Sequence, residues 1–390
     1  MTHVVYLDNA ASTPVRPEVL DAMMPYLTDE TFGNPSSAHR FGQAASAGVE
    51  RARRQIADAL GVEPGEVIFT SGGTEADNLA VIGAALAQQH RGGPLAVAVG
   101  AAEHKAVIAA AETVQSMGGE ATFLPVDERC QVEPGAVDDA LKRRPAVLSA
   151  MWVNNEVGII QDVRSLAERC SEAGVVFHTD AVQAVGKIPC RIDDIPCTLL
   201  AVSGHKIGAP KGVGALVVRD RTAVEAIIHG GGQQFGIRPG TENVAGIVGL
   251  GEAVALAVGE VDQSAPRLGA LRDAFEERVL SAIPDVTVIG ADAQRAPHIS
   301  ALAFPGIDPQ ALLVQCDLAG VACSTGSACN TGLPEPSHVL DAMGLPREIT
   351  TSMVRFSFFK QNSAEDVNRV IEVLPGLVAK VRRLSAALGE

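Results

Sequence analysis

The chain has 390 residues, of which 31 are Lys or Arg and 46 are Asp or Glu, so its formal net charge is -15. Hydrophobic residues make up 47% of the sequence, which excludes the composition of a disordered chain. The acidic balance argues against nucleic acid or an anionic membrane surface as the main partner, because their phosphates would be repelled. At roughly 150 residues per domain, the length predicts two domains or one large domain with an appendage.

Targeting, membrane and disulfide signals are absent from the sequence. The N-terminus has no basic segment followed by an apolar one, so we expect no signal peptide. The most apolar stretch, 244–258, is broken by Gly and Glu and is too short to cross a bilayer core of about 30 Å. The cysteines are odd in number, with no CxxC and no His at metal-ligand spacing. This pattern predicts a reduced, cytoplasmic chain without a disulfide framework or metal site.

Strand-like and helix-like segments alternate from residue 67 to residue 218. The predicted strands are 67–70, 95–99, 121–124, 146–153, 175–178, 199–203 and 214–218, and the predicted helices between them are 75–88, 106–118 and 163–173. Strands that are apolar throughout, separated by helices, are typical of a mostly parallel sheet with helices on both faces. The sequence therefore predicts an α/β fold.

The pattern changes after an apolar helix predicted near 243–259. A charged amphipathic helix at 267–282 follows, then strand candidates at 286–289 and 300–304, and a C-terminal helix from about Ala364. We therefore expect a large domain over 13–262. A smaller α+β domain would consist of 263–390 together with residues 1–12, which are extended and would pack back onto it.

A glycine-rich turn joins the strand 67–70 to the helix that follows it. Gly72 and Gly73 permit close approach to the backbone, and Thr74 lies at the start of the helix. Free N–H groups and the helix dipole make such a turn an anion site, most simply for a phosphate. The turn lacks the Lys-Ser/Thr of a P-loop and the spacing of GxGxxG. Taken alone, an ordinary strand–helix turn explains it about as well.

Polar residues also end the next strands of the predicted sheet. Asp180 ends one strand, and Ser203 ends another, three residues before Lys206. Ligands of an open parallel sheet bind at the carboxyl ends of its strands, so these residues should meet the glycine-rich turn. Pyridoxal phosphate needs a lysine for a Schiff base, a phosphate cradle and an acid for its ring nitrogen. Lys206 alone would be interpreted as a solvated lysine, but the combination predicts a site for this cofactor.

At this point the sequence resembles a known family. The segments Leu7-Asp-Asn-Ala-Ala11, Ser71-Gly-Gly-Thr-Glu75, Glu103-His-Lys105, Val153-Asn-Asn-Glu156 and His178-Thr-Asp-Ala-Val-Gln183 resemble class V, fold-type I pyridoxal phosphate enzymes. The resemblance is narrowed to cysteine desulfurases of the NifS/IscS type by Ser203-Gly-His-Lys206, Gly230-Gly-Gly-Gln233, Arg238-Pro-Gly-Thr241 and Ser324-Thr-Gly-Ser-Ala-Cys329. It extends from Asp8 to at least Arg355.

The resemblance implies a role for each matching residue around the cofactor. Lys206 would hold pyridoxal 5'-phosphate covalently, and Asp180 would pair with its ring nitrogen. Gln183 would contact the ring hydroxyl, and His104 would stack on the ring and help to move protons. The phosphate would be bound by Gly73, Thr74, Ser203 and His205, and by Thr241 from the partner subunit of a homodimer.

The same resemblance implies the substrate and the reaction. Asn155, beside the cofactor, and Arg355 would bind L-cysteine, with the arginine clamping its carboxylate. Cys329 would take the substrate sulfur as a persulfide, leaving L-alanine, and pass it to an acceptor protein for iron–sulfur clusters or thiolated cofactors and tRNA. Glycines and a proline around Cys329 indicate a surface loop, which suits a nucleophile that must be reachable. Cys323, at the end of an apolar strand, could be a resolving thiol but is better explained by packing.

Two alternatives and two departures from the family pattern accompany this prediction. A selenocysteine lyase, or another class V lyase or transaminase, would share the fold, whereas a non-catalytic scaffold would have no need of Lys206. Gly73 stands where many relatives have Ala, an exchange expected to be harmless. Phe358-Phe-Lys360 replaces the usual Leu-Gly-Arg, so no role for that distal arginine is carried over.

Overall fold

A computed structural model describes residues 4–326 and 337–388. The helices in these ranges are α1 (Pro17–Met23), α2 (Arg40–Leu60), α3 (Gly73–His90), α4 (Lys105–Ser116), α5 (Pro134–Lys142), α6 (Val163–Ala173), α7 (Val244–Gly259), α8 (Val261–Ala282), α9 (Pro309–Leu318), α10 (His338–Ala342), α11 (Arg347–Thr350) and α12 (Ala364–Leu388). The strands are β1 (Val5–Tyr6), β2 (Val67–Thr70), β3 (Ala96–Gly100), β4 (Glu120–Leu124), β5 (Val147–Ser149), β6 (Val176–Asp180), β7 (Leu199–Ser203), β8 (Gly214–Val218), β9 (Thr287–Val288), β10 (Ile299–Ala303), β11 (Val321–Ala322) and β12 (Met353–Ser357).

The central sheet of the described residues has the strand order β2-β8-β7-β6-β5-β3-β4. Strand β8 runs antiparallel to its neighbours β2 and β7, and all other neighbouring pairs are parallel. Every residue of β2, β3, β7 and β8 is buried, as expected for strands covered on both faces. The predicted α/β class with a mostly parallel sheet is confirmed.

Alternate residues along each strand pack into two different cores. Leu200 and Val202 of β7 belong to a core that also contains side chains of α2, α6 and α7. Leu199 and Ala201 of the same strand belong to a second core, formed with α3 and α4. The two cores are therefore the two faces of the sheet, because successive side chains of a strand point to opposite sides.

The N-terminal residues pack against the C-terminal part of the chain. β1 pairs in parallel with β11, and Val5 and Leu7 lie in a third core with side chains of α8, α9, β12 and α12. In the same core Phe358 packs against Phe275, with 5.7 Å between ring centroids. The Phe that departs from the family pattern is thus a core residue. The domain limits at 12 and 262 stay a prediction, and residue 262 falls in the first turn of α8.

No single helix among the described residues is both long and apolar enough to cross a bilayer, and only α7 and α8 taken together, at a bend of 71°, meet the length and composition required.

A buried ion pair joins α8 to the turn that precedes β10, and its removal should destabilise the fold. Arg295 donates to both carboxylate oxygens of Glu276 at 2.7 and 2.9 Å, and the side chains are only 9% and 8% exposed. Arg295→Ala leaves the carboxylate of Glu276 buried without its partner, so we expect the free energy of unfolding to fall by about 3–5 kcal/mol. Urea denaturation at fixed protein concentration measures this.

The matched control is Arg129→Ala, which breaks an ion pair with Asp292 whose side chains are 58% and 66% exposed. Its expected cost is below about 1 kcal/mol, because solvent screens exposed pairs. Equal losses for Arg295→Ala and Arg129→Ala would show that the pair with Glu276 contributes no more than a surface contact.

Candidate functional site

A cavity of about 460 Å³ opens where β2, β6 and β7 end. Of the residues predicted for the site, those that line it are Gly73, Thr74, His104, Asn155, Asp180, Gln183, Ser203, His205, Lys206 and Arg355. Thr241 is exposed and does not line the cavity of its own chain. Cys329 lies outside the described residues. The structure therefore brings the predicted residues together, apart from these two.

Two grooves of about 690 and 700 Å³ are larger but carry no comparable cluster. Their arginines lie beside aspartates, at 2.8, 2.8 and 3.2 Å, in the pairs Arg129–Asp292, Arg164–Asp194 and Arg191–Asp193. Because these charges are already paired and exposed, the grooves offer less for chemistry than the smaller cavity.

The glycine-rich turn is held in place by its own residues and by Arg238. Glu75 accepts a hydrogen bond from the backbone N–H of Ser71 at 2.8 Å, and Arg238 donates to both oxygens of Glu75 at 2.7 and 3.1 Å. The first N–H groups of α3 have no acceptor inside the helix, as at any helix N-terminus. A Cβ at Gly73 would lie 3.0 Å from Val182 Cγ2 and 3.4 Å from Ser203 Cβ, so glycine lets these groups approach closely.

Lys206 lies at the end of β7 with its ammonium group in the cavity. Nζ donates to the carbonyl oxygens of Ala10 and Ala11 at 2.7 and 2.8 Å. Burial, and then the positive charge of Arg355, lower the pKa of Lys206 to about 8, against the opposing effect of Asp180 and Asp8. The neutral amine, which is the form that attacks carbonyl carbons, is therefore more populated near neutral pH than in an ordinary lysine.

Asp180 and His104 also line the cavity. Asp180 Oδ1 accepts a hydrogen bond from the backbone N–H of Val182 at 2.9 Å. Burial raises the pKa of Asp180, while His104 and Lys206 oppose that rise. His104 caps α4, with Nδ1 accepting from the N–H of Ala106 at 3.1 Å. The neutral ring therefore carries its proton on Nε2. Burial lowers the pKa of His104 below its usual value.

The amide of Gln183 is fixed by residues that sequence reasoning missed. Its Nε2 donates to the carbonyl of Ala10 at 2.9 Å, and its Oε1 lies 3.4 Å from Lys187 Nζ and 3.1 Å from His298 Nε2. Burial lowers the pKa of Lys187 to about 7. A lysine seven residues after Asp180 carries no pattern that predicts its burial, so nothing in the sequence singled it out.

Arg355 projects from β12 and is held on two sides. Nη1 donates to the carbonyl of Asn155 at 2.7 Å, and Nη2 donates to Asp8 Oδ1 at 2.9 Å. Its side chain is 4% exposed, so the guanidinium is fixed at the cavity wall. Asp8 lies in a segment that resembled the family, but its pairing with Arg355 was not predicted.

Gly326 and Ser337, the described residues on either side of the segment 327–336 that contains Cys329, both lie close to Glu156. Ser337 donates its hydroxyl to Glu156 Oε2 at 2.5 Å. Gly326 has φ +80 and packs so closely that a Cβ there would lie 3.0 Å from the same oxygen. Ser324, two residues earlier, exchanges backbone hydrogen bonds of 3.1 and 2.6 Å with Arg355. Ser324 and Gly326 thus lie at the cavity wall, and Ser337 is held by Glu156.

Two aspartates and a histidine at the cavity bear on the expectation that the chain has no metal site. Ligand atoms of Asp77, His104 and Asp180 all lie within 4.8 Å of one another and could hold a metal ion. All three residues line the cavity that also contains Lys206 and the glycine-rich turn. The sequence-based expectation of no metal site stays a prediction.

Comparison with known proteins identifies the family. A family model described as aminotransferase class-V matches residues 5–370. The chain is 42% identical over 385 residues to the cysteine desulfurase IscS of Dictyoglomus turgidum, which covers 99% of this chain and 97% of that protein. The chain belongs to the cysteine desulfurases of the class-V aminotransferase family. The resemblance seen in the sequence motifs is confirmed.

Solved structures agree with this assignment to the cysteine desulfurases. A NifS-like protein superposes with a TM-score of 0.90 at 32% identity, covering 97% of this chain and all 100% of that one. A structure described as SspA in complex with cysteine has a TM-score of 0.78 at 32% identity, covering 90% of this chain and 98% of that one. The chain therefore shares the fold of these proteins.

The lowered pKa of Lys206 predicts that its amine reacts at unusually low pH. Reductive methylation with formaldehyde and borohydride modifies neutral amines, so labelling of Lys206 in cofactor-free protein should reach half its maximum near pH 8. Lys142, exposed and with a pKa raised by Asp139, provides the internal control and should label only in more alkaline solution. Peptide mass spectrometry over a pH series measures both residues. If Lys206 and Lys142 were labelled over the same pH range, burial and Arg355 would not lower the pKa of Lys206.

Proposed function

We propose that this chain is a pyridoxal phosphate-dependent cysteine desulfurase that converts L-cysteine to L-alanine and leaves a persulfide on Cys329. The observation that carries the proposal is the convergence of Lys206, Asp180 and Arg355 on one cavity, at whose edge Gly326 leads into the segment with Cys329. The similarity to cysteine desulfurases over nearly the whole chain supports it.

The groups that line the cavity fit pyridoxal phosphate. The N-terminus of α3, together with Ser203 and His205, provides donors for a phosphate, and Gly73 keeps that cradle open. Lys206 supplies the amine, and Asp180 the acid for the ring nitrogen. When bound, this cofactor supplies an electron sink that stabilises negative charge at the substrate's α-carbon.

The protein's own residues then bind and orient the substrate. Arg355, held by Asn155 and Asp8, is positioned to bind the carboxylate of L-cysteine. The partly neutral amine of Lys206 accepts a proton, and the Nε2–H of His104 is a second group that can exchange one. The cavity walls are buried, which strengthens these electrostatic contacts.

Cys329 receives the sulfur atom of the substrate. Its thiolate attacks the substrate sulfur, an S–S bond forms, and the C–S bond breaks with its electron pair left on carbon. That carbon then takes up a proton to give alanine, while the persulfide stays on Cys329. Because consecutive Cα atoms are 3.8 Å apart, three residues cannot separate the Cα atoms of Gly326 and Cys329 by more than about 11 Å. That limit is compatible with the proposed transfer at the cavity.

A homodimer and a sulfur acceptor complete the proposal. We propose that the partner subunit's Thr241 contacts the phosphate, since Thr241 is exposed and does not line the cavity of its own chain. The persulfide is passed to an acceptor protein of iron–sulfur cluster assembly or of thiolation. A cytoplasmic location is proposed from the cysteine pattern, and cell fractionation checks it.

Cys329→Ser should abolish sulfide release from L-cysteine in the presence of thiol while retaining the bound cofactor. Cys323→Ser, which changes the half-buried cysteine at the end of β11, is the matched control and should keep most activity. Alanine and sulfide are quantified with L-cysteine, selenocysteine and cysteine sulfinate as substrates. Normal turnover by Cys329→Ser would identify another nucleophile, and preference for selenocysteine would favour the lyase.

Lys206→Ala should eliminate covalent retention of pyridoxal phosphate after borohydride.

Hybrid dimers test the position of Thr241. A dimer of one Lys206→Ala chain and one Thr241→Ala chain has one intact site only if each site uses the partner subunit's Thr241. Such a hybrid should therefore bind about one cofactor per dimer with wild-type affinity and show about half of wild-type activity. If its single functional site is as weak as that of the Thr241→Ala homodimer, Thr241 acts within its own chain. A monomeric active enzyme would remove Thr241 from the site.

A further inference from the structure

A short segment before Thr241 has a left-handed backbone. Gln234, Phe235 and Gly236 have φ values of +47, +62 and +80, and the first two of them carry side chains. Residues with a Cβ adopt this conformation at a steric cost, and normally one at a time rather than in succession. Such a backbone persists only where its surroundings hold it, and it is found most often at functional sites. The contacts that hold this turn therefore indicate its role.

The side chain of Gln234 is only 5% exposed and makes three hydrogen bonds. Its Oε1 accepts from the backbone N–H of Phe69 at 2.9 Å and from Arg53 Nη1 at 3.2 Å. Its Nε2 donates to Glu242 Oε1. The two groups at the oxygen can only donate, and a carboxylate can only accept, so the amide has a single allowed orientation. Gln234 therefore links Phe69 and Arg53 to Glu242.

Two of these contacts lie along the free edge of the central sheet. Strand β2 is the outermost strand, and β8 is its neighbour on the other side. Like the N–H of Phe69, the carbonyl of Val67 bonds to a side chain, accepting from Arg53 Nη1. Residues two apart on a strand direct their hydrogen-bonding groups to the same edge, so Gln234 and Arg53 satisfy this edge as a further strand would. The left-handed turn is therefore fixed to β2.

Two consecutive glutamines hold the backbone on both sides of Thr241. Gln233 Oε1 accepts from the N–H of Gly240 at 3.0 Å. Gln234 Nε2 binds the carboxylate of Glu242. Thr241 lies between Gly240 and Glu242, is exposed and does not line the cavity of its own chain. The left-handed turn therefore determines where Thr241 lies relative to the central sheet.

Phe235, the second left-handed residue, is held by two arginines. Its ring centroid lies 5.1 Å from Arg53 Cζ and 3.8 Å from Arg221 Cζ, distances at which a guanidinium is attracted to an aromatic face. Arg53 is only 3% exposed. Because Phe235 keeps these contacts when the amide of Gln234 is removed, we expect Gln234 variants to alter the loop locally rather than unfold the protein.

We propose that Gln234 is a positioning residue that holds Thr241 for the phosphate of the cofactor bound by the partner subunit. This inference rests on the proposed function for the role of Thr241, and it adds the residue that determines its position. Gln234 does not line the cavity of its own chain and acts through Glu242, the neighbour of Thr241 in sequence. A defect at Gln234 should therefore appear in the partner's site and not in the site of its own chain.

Hybrid dimers with one Lys206→Ala chain measure these two effects separately. Only the chain that keeps Lys206 can retain pyridoxal phosphate covalently after borohydride, so trapping over a series of cofactor concentrations gives the half-saturating concentration of that single site. With Gln234→Met in the Lys206→Ala chain, we expect this concentration to rise about tenfold, the effect of one lost hydrogen bond to a charged group. With Gln234→Met in the chain that keeps Lys206, it should match that of the unmodified hybrid.

The double variant Gln234→Met/Thr241→Ala, placed in the Lys206→Ala chain, separates positioning from structural damage. If Gln234 acts through Thr241, removing both side chains weakens the partner's site no more than Thr241→Ala alone. Independent damage to the fold would instead add the two losses. Thermal denaturation of each hybrid confirms that folded dimers are compared.

Matched variants separate the side-chain contact from the backbone conformation. Glu242→Gln keeps an oxygen that accepts from Gln234, whereas Glu242→Leu removes the acceptor, so only Glu242→Leu should weaken the partner's site. Gln234→Asn suits the left-handed conformation but is shorter by a methylene group, so it should weaken that site as Gln234→Met does. Full affinity in Gln234→Asn would show that the side-chain contact with Glu242 does not position Thr241, and would overturn the proposal.

The hybrids also distinguish this inference from the proposed function. A loss for Thr241→Ala confined to the site of its own chain would overturn the partner role of Thr241, and this inference with it. A loss in the partner's site for Thr241→Ala but none for Gln234→Met, or additive losses in the double variant, would overturn the role of Gln234 alone.

Discussion

The burial of a negative charge at the end of β6 is the constraint on which the site depends. An isolated carboxylate in such a place would take up a proton, and burial does raise the pKa of Asp180. Its anion is favoured by His104, by the N–H of Val182 and by the positive charge of Lys206. These groups come from the ends of β6 and β7 and the start of α4, so the sheet topology itself supplies the balance.

The same balance extends to the N-terminal residues. Arg355 lowers the pKa of Lys206, and the negative charge of Asp8, which also pairs with Arg355, partly offsets this effect. Asp8 is held because β1 pairs with β11 and because Asp8 forms a backbone bridge to Ser357. A short N-terminal segment thus joins the C-terminal sheet to the chemistry of the large sheet. The packing of this segment therefore affects the pKa of Lys206, because it holds Asp8 in place.

The sequence predicted the elements whose boundaries are marked by composition. The strands 67–70, 199–203 and 214–218 and the helix 163–173 agree with β2, β7, β8 and α6 residue by residue. The antiparallel direction of β8 was not predicted, because a strand that is apolar throughout carries no directional signal. The long helix α2 was missed as well. It packs against α7 through small residues, with Gly251 so close to Ala52 that a Cβ would lie 2.6 Å from the Ala52 Cα.

Residues of the site were predictable when they stood at strand ends or in dense motifs. Asp180, Ser203 and Lys206 follow apolar strands and are recognisable from that position alone. Asp77, Glu103 and Lys187 were missed because a charged residue within a helix or loop is usually solvated. Their burial depends on neighbours that are distant in sequence, such as His178 for Asp77. No local pattern could have indicated it.

Substrate binding should alter the electrostatics that the protein has established. Arg355 now lowers the pKa of Lys206, and Asp8 is the anion that pairs with its guanidinium. In the proposed reaction a substrate carboxylate adds a second anion at Arg355, and the net positive charge felt by Lys206 falls. The pKa of its amine then rises, because a nearby negative charge favours the protonated form. Lys206 would thus have a larger neutral fraction before substrate binds and be a stronger base, with a smaller neutral fraction, afterwards, with the same arginine responsible for both.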